Sequence, residues 1–368
     1  MKDLKILVIN PGSTSSKVDL FKNSECKFSI HVFHDAPELL KYKTINDQLD
    51  FRKKVIMDFI EKNNIDMSDL DAIVGRGGSS YTVESGIYEI NDLLIEDTRA
   101  CKSGIDHPSN LGVQLARELQ KEYGGRIFMV DPVCVDELTM NARMTGIKGV
   151  YRKVASHALN LKGTARYHCE NVLHRRYEDT NLIVCHIDGG ISVSAHEKGR
   201  QIDCNDAAGG DGPYTPTRIG SISVRDILEY AEGKDLKEVR KLCSRSGGFV
   251  SHFGTSNSDT IHRMIDEGNQ YAKDVWDGMI YNIYKYIGAM ATVLGGKVDS
   301  IVLTGGLMRF KEIEDKIKEK CEWIAPVYSY VGEVENRVMA DSACKVLRGE
   351  VIPKIYSGKH VWEPKEDY

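Results

Sequence analysis

The opening of the chain holds the feature that most restricts the fold. Ile6–Ile9 predicts a short buried strand, and a polar octet, NPGSTSSK from Asn10 to Lys17, follows it. Val18, Leu20 and Phe21 then predict a second strand where many nucleotide-binding folds place a helix. The Walker loop, GxxxxGK[ST], lacks its second glycine here, and both it and the glycine-rich dinucleotide fingerprint must open a helix. A tight hairpin remains. Its Gly12 permits close backbone approach, Ser13, Thr14, Ser15 and Ser16 carry hydroxyls, and Lys17 adds a cation. These are the donors a phosphate takes, and they are equally the residues of an ordinary turn.

The design recurs near the middle of the chain. In NLIVCHIDGGISVSA, Asn181–Ala195, a strand at Leu182–Cys185 leads through a glycine turn into a second β-rich run, Ile191–Ala195. Two such hairpins predict two similar half-molecules, with two phosphate-cradling turns facing one cleft. The length of 368 residues agrees, since it exceeds one ordinary core and suits two domains of roughly 150–200 residues.

The chain in order reads as alternating α/β. Glu38–Lys62 is predicted as a mainly helical segment, and helices are predicted for Asn110–Tyr123, from about His157 to Arg176, and around Val224–Ala231 and Leu236–Ser244. The longest is predicted at Asp274–Leu294, stopping at Gly295-Gly296. Strands are predicted at Ala72–Val74, Arg126–Val130 and Ser300–Leu303. GGFVSHFGTSNSDTIHRMI reads as a glycine- and hydroxyl-rich turn running into a short helix, GEVEN (Gly332–Asn336) as an acidic turn before a helix to Leu347, and Val351–Tyr368 as a tail with little regular structure.

Several residues at strand ends carry two readings each. Arg76, between Gly75 and Gly77-Gly78, is either a bidentate anion clamp or a surface arginine in a turn. Asp131, directly after a strand, can hold a metal or orient a phosphate, or it can cap its own turn. His157, at a helix start in SHALN, is a buried histidine or an electrophile for a developing oxyanion. The loop Asp203–Gly220, dense in Gly, Pro and Asp, reads as a lid or binding loop carrying Arg218 as a second clamp. Gly305-Gly306 after a strand allows backbone to lie flat against a base or sugar.

Charge and cysteine usage narrow the partners. A net charge of -5 and a pI near 6.2 give no polybasic surface, so neither nucleic acid nor anionic membrane is expected as a partner. The apolar core of MKDLKILVIN is too short for a signal peptide, and no run reaches membrane-spanning length. Nine scattered cysteines without a CxxC predict reduced thiols in a cytoplasm, with neither a disulfide frame nor a cysteine zinc site.

Taken as an ordered set, NPGSTSSK, VGRGG, Asp131-Pro132, SHALN, HIDGG, GPYTPTRIG, KVDSIVLTGG and GEVEN resemble the butyrate kinase branch of the acetate kinase family. That family belongs to the superfamily of sugar kinases, hsp70 and actin. The resemblance runs over nearly the whole chain. It implies an α/β protein of two ribonuclease-H-like domains, of duplicated βββαβα topology, with an interdomain cleft. The domains are expected at 1–150 plus 335–368, holding the carboxylate side and first phosphate loop, and at 151–334, binding the nucleotide. The implied reaction is Mg²⁺-dependent transfer of the ATP γ-phosphoryl to a short-chain carboxylate, giving ADP and an acyl phosphate. A homodimer or larger homo-oligomer is implied as well.

Carried over residue by residue, Asn10, Ser13, Ser15 and Lys17 match the first phosphate loop, and Arg76 and Arg218 the two arginines on the reacting anions. Asp131 matches the catalytic acid with a link to the metal, and His157 the transition-state histidine. His186, Asp188, Gly189 and Gly190 match the second phosphate loop and Gly305 and Gly306 the adenosine loop. Glu335, with Glu333 as its near alternative, matches the Mg²⁺-linked glutamate. One departure matters: the second loop usually reads HLGGG or HLGNG, and here Asp188 stands at a glycine position. The expected function is a butyrate-kinase-like phosphotransferase. Acetate or propionate kinase is the nearer alternative, and a nucleotide-binding sensor impaired by Asp188 the more distant one.

Overall fold

The computed structural model describes residues 2–12, 15–39, 41–78, 80–102, 104 and 107–364. The chain divides into two compact units, Met1–Asp136 with Val334–Glu363, and Glu137–Glu333. Residues 137–150, grouped above with the first domain, lie in the second unit.

In the first unit one sheet is built from β1 (Lys5–Pro11), β2 (Ser15–Lys22), β3 (Glu25–Phe33), β4 (Ala72–Gly75), β5 (Ile87–Glu89), β6 (Arg126–Val130) and a short edge strand, Lys354–Ile355. The spatial order is Lys354–Ile355, β5, β6, β4, β1, β2, β3. β1, β2 and β3 pair antiparallel, while β4 lies parallel to β1 and β6 parallel to β4. The first hairpin is tighter than the polar octet suggests. Asn10 pairs with Lys17 and Pro11 with Ser16, so polar residues continue both strands and the Gly12 amide donates to the Ser15 carbonyl at 2.9 Å. Helices Asn110–Tyr123 and Glu335–Leu347 both pack on β1, β4 and β6.

The second unit repeats this order. β7 (Asn181–Ile187), β8 (Ile191–Glu197) and β9 (Arg200–Cys204) are antiparallel, and β10 (Ser300–Gly305) and β11 (Val327–Val331) extend the sheet in parallel from β7. The order β9, β8, β7, β10, β11 is that of β3, β2, β1, β4, β6. The duplicated ribonuclease-H-like topology is therefore present in both units.

Period-two alternation explains why NLIVCHI is apolar almost throughout. Ile183, Cys185 and Ile187 pack with Trp276, Met279 and Ile283 of helix Gln270–Val293. Leu182 and Val184 face the other way, onto Leu161 and Ala165 of helix Ala158–His168. His186 continues this second series, which decides where its ring goes.

The structure corrects several element boundaries. In the mainly helical segment Glu38–Lys62 the regular helix is Leu49–Lys62, preceded by a single turn at Ala36–Leu39 and a 3-10 turn at Asn46–Gln48. The helix after His157 ends its regular course at His168, becomes a π turn through Leu173, and stops at the left-handed His174. GGFVSHF forms a helix, Gly248–Phe253, and left-handed Gly248 at its start lies so close to the Thr215 carbonyl that no side chain fits. Glu335 and Asn336 start the last helix and are no part of the turn. The long helix begins at Gln270, where the Asn269 side chain caps the Ala272 amide at 3.0 Å. Among the described residues no helix is long and apolar enough to cross a membrane.

Candidate functional site

Each unit gathers its own set of the candidate residues. In the first, Arg76 follows β4 directly, and the glycines around it serve packing. A side chain at Gly75 would strike the Gly112 carbonyl, one at Gly112 the Arg76 carbonyl, and one at Gly78 the Asn110 backbone at 2.5 Å. Helix Asn110–Tyr123 thus seats its backbone against this loop, which fixes where Arg76 leaves the sheet. Arg76 Nη1 donates to Asn10 Oδ1 at 3.0 Å and Nη2 to Glu335 Oε1 at 2.9 Å. Asn10 Nδ2 closes the triangle by donating to Glu335 Oε2 at 2.8 Å. It also donates to Asn336 Oδ1 at 3.0 Å, and Asn336 Nδ2 donates to Asp19 at 2.8 Å. Glu335 is 1% exposed.

Asp131 follows β6 in a left-handed conformation, φ 36°. Its Oδ1 accepts from Ser85 Oγ at 2.6 Å and the Gly86 amide at 2.8 Å, so it anchors the segment entering β5 in place of its own turn. Lys17 stands on β2 opposite Asn10 with a half-exposed side chain, and Ser15 Oγ meets His31 Nε2 at 3.0 Å. Ser13 lies outside the described residues, as does Thr14.

The hairpin has a support that the sequence reading missed. Fully buried Arg52 donates from Nη1 to the Ser15 carbonyl at 2.8 Å and Ser16 Oγ at 3.1 Å, and from Nε to Gln48 at 3.1 Å. The signal was present: Arg52, Ile56 and Ile60 fall at i, i+4 and i+8, so a cation sits on the apolar stripe. Burial lowers its guanidinium pKa to about 10, which leaves it charged at neutral pH. His34 receives or donates the bond to Ser16 Oγ at 2.9 Å. Burial first, and Arg52 second, push the His34 pKa down to about 4. An unfolded histidine binds its proton near 6.5, so below that pH the unfolded chain takes up a proton that the native state refuses. Stability should therefore decline as pH falls from about 6.5 to about 4. Urea midpoints measured across this range should show the decline, and His34→Gln should make it shallower. Parallel curves for the two proteins would contradict this.

In the second unit the register of β7 brings His186 to the start of helix Ala158–His168. His186 Nδ1 meets Asn160 Nδ2 at 2.8 Å, and its ring stacks on His157 with centroids 3.9 Å apart. His157, at the helix N-cap position, meets Ser192 Oγ through Nδ1 at 2.8 Å. Gly190 lies beneath two candidates at once: a Cβ there would come within 2.8 Å of Arg218 Nη1 and 2.9 Å of His157 Cε1. Only a glycine lets the guanidinium and the imidazole approach this turn together.

Arg218 belongs to a loop that is pinned, contrary to the lid reading. Thr215 Oγ1 and Thr217 Oγ1 donate to the Gly189 carbonyl at 2.7 and 3.0 Å, and Tyr214 OH donates to the Val275 carbonyl at 2.6 Å. Arg218 Nη1 donates to the Ala207 carbonyl at 2.7 Å, while enclosed Nε has no hydrogen-bond partner among the described residues. Burial lowers the guanidinium pKa and Asp206 opposes that shift. Asn160, Ser192, Thr215 and Thr217 are further residues that sequence reasoning missed. Asn160 alone had a signal, three positions after His157 on one helix face.

Asp188 turns back onto the glycine loops. Its Oδ1 accepts from the Gly189 amide at 2.8 Å and its Oδ2 from the Gly306 amide at 2.9 Å. Gly305 has φ 111° and leaves no room for a side chain against Ile187. Ligand atoms of His186, Asp188 and Glu333 lie within 4.8 Å of one another, the one such group of three found among the described residues. The two carboxylates suit a hard cation such as Mg²⁺, whereas the imidazole is not a ligand Mg²⁺ favours. Among the described residues Asp131 and Glu335 do not join a group of this kind. Their carboxylates accept from Ser85 and Gly86, and from Arg76 and Asn10.

Residues 143–320, which include His157, His186, Asp188 and Arg218, match the model of the acetokinase family. The fold is similar to that of an acetate kinase from Porphyromonas gingivalis, with a TM-score of 0.73 at 20% identity, covering 94% of this chain and 100% of the other. It is similar to an acetate kinase from Entamoeba histolytica, with TM-score 0.73 at 15% identity and coverage of 94% and 98%. A propionate kinase from Francisella tularensis gives TM-score 0.72 at 17% identity, with coverage of 92% and 98%. At such identities the likeness to these structures is one of fold.

Proposed function

We propose that this chain is a carboxylate kinase of the acetate kinase family, transferring the ATP γ-phosphoryl reversibly to a short-chain fatty acid. The observation that carries the reading is the convergence of Arg218 and His157 over Gly190, inside the segment 143–320 that matches the acetokinase family. A cation and an imidazole held together at a bare glycine turn are what an anionic, oxygen-rich transition state requires.

In this reading the second unit takes the nucleotide: Gly189, Gly190, Gly305 and Gly306 supply backbone surface, and Arg218 and His157 face the phosphoryl in transit. The first unit contributes Asn10, Ser15 and Lys17 to the phosphates and Arg76 to the carboxylate. A carboxylate oxygen is already a nucleophile, so no strong base is needed. The residues must neutralise like charges and hold donor and acceptor in line. Asp131 positions the segment at Ser85–Gly86. Mg²⁺, when bound, shields the phosphate charges. Asp188 and Glu333 are the carboxylates we assign to it, since Glu335 is engaged by Arg76.

The substrate we favour is butyrate or isobutyrate, on the sequence forms NPGST and GRGG. With Mg²⁺-ATP and hydroxylamine, which traps acyl phosphates, the C4 acids should give higher kcat/KM than acetate. Each methylene in an apolar pocket is worth about 1–3 kcal/mol, so the preference should exceed about tenfold. An acetate kcat/KM above that of every C4 and C5 acid would assign the chain to acetate.

A further inference from the structure

We propose that Asp188 is an internal anion that makes nucleotide binding by the second unit conditional on a divalent cation. The inference rests on the nucleotide reading above and goes beyond it. The Asp188 carboxylate uses both oxygens on main-chain donors: Oδ1 on the Gly189 amide at 2.8 Å and Oδ2 on the Gly306 amide at 2.9 Å. One donor belongs to each of the two glycine loops assigned to the nucleotide. Oδ2 also lies 2.5 Å from where a Gly306 Cβ would stand, so the carboxylate covers the bare face that the glycine creates.

Backbone amides bordered by glycine are what a phosphate oxygen seeks, and here a side chain of this protein already occupies them. An incoming phosphate meets a negative charge where a glycine would leave open donors. Glu333 sharpens the effect, since its carboxylate converges with Asp188 and His186 within 4.8 Å. Two carboxylates and a polyphosphate in one place repel unless a cation lies among them. Hard oxygen donors are the set that Mg²⁺ accepts while retaining several waters. His186 need not serve as a ligand, because its Nδ1 is turned to Asn160 and its ring is stacked on His157. The consequence is selectivity: the metal complex of the nucleotide binds, and the bare nucleotide is refused.

The test is equilibrium binding of ADP by calorimetry, in EDTA and in saturating Mg²⁺, for the wild type, Asp188→Asn and Asp188→Gly. Asn keeps the shape and removes the charge; Gly removes both. In EDTA both variants should bind ADP at least about tenfold more tightly than the wild type. Mg²⁺ should tighten the wild type by more than about tenfold and the variants by less than about threefold. An equal Mg²⁺ factor in all three proteins would overturn the proposal and leave the nucleotide reading standing. Weaker binding by both variants under both conditions, with unchanged melting temperatures, would make Asp188 a structural prop and overturn it as well. ADP binding by none of the proteins in either condition would remove the nucleotide reading itself, and this proposal with it.

Discussion

Arg218→Ala should leave a folded protein whose kcat/KM for carboxylate phosphorylation falls by about 10²–10⁴, the range for loss of one preorganised charge at a transition state. Folding should survive because Arg218 contributes little to the native structure. Among the described residues its side chain makes one hydrogen bond, to the Ala207 carbonyl, and its Nε is enclosed without a partner. Burial disfavours its charge, and Asp206 offsets only part of that. Groups held charged in this way serve another purpose more often than stability. Arg218→Lys should recover little, since an ammonium cannot present the planar fork. ADP binding should change much less than turnover. Near-wild-type kcat/KM in Arg218→Ala would return the residue to a purely structural role.

The second large effect is expected at Arg76, where stability and activity should separate. Arg76 meets Glu335 at 2.9 Å, and Glu335 is buried. Arg76→Ala takes the arginine from a buried carboxylate, which costs about 3–5 kcal/mol. Adding Glu335→Gln removes the charge that needed the arginine, so the double variant should regain most of the unfolding free energy. Activity should not return, because neither replacement restores a cation for the substrate carboxylate. Denaturant titrations give the first quantity and hydroxamate formation the second. If the double variant recovers both, Arg76 acts only through Glu335 and is no substrate clamp.

How far the sequence disclosed this can be read from particular residues. Both hairpins were legible because Ile6–Ile9 and Leu182–Cys185 are buried on two faces and so are apolar without interruption. β3 was missed although its signal was present: over Glu25–Phe33 the apolar Cys26, Phe28, Ile30 and Val32 alternate with Lys27, Ser29 and His31, on a strand that is mostly exposed. Helices Asn110–Tyr123 and Val224–Ala231 were read to the residue. The turns 46–48 and 169–173 were not, because they depend on local backbone geometry that carries no apolar period.

The site shows the same division. Motif and spacing pointed to His157, His186 and Arg218, but not to the contacts that orient them. Ser192, Thr215 and Thr217 act through single hydroxyls, and a hydroxyl in a loop is indistinguishable in sequence from any other. The motif drew attention to Arg76, and the crowding of Gly75 against Gly112 and of Gly78 against Asn110 shows that helix packing demands these two glycines. Asp188 was visible as an anomaly. Only the structure gave it a meaning, by placing its two oxygens on the Gly189 and Gly306 amides.

Phosphoryl transfer between an acyl phosphate and a nucleotide can be followed in the ATP-forming direction. Purified protein given butyryl phosphate, ADP and Mg²⁺ should form ATP and butyrate in equal amounts, and Arg218→Ala should slow the reaction by about 10²–10⁴ without abolishing ADP binding. Tight ADP binding with no ATP formed from acetyl, propionyl, butyryl or isobutyryl phosphate would contradict the account and leave a nucleotide-binding protein without this chemistry.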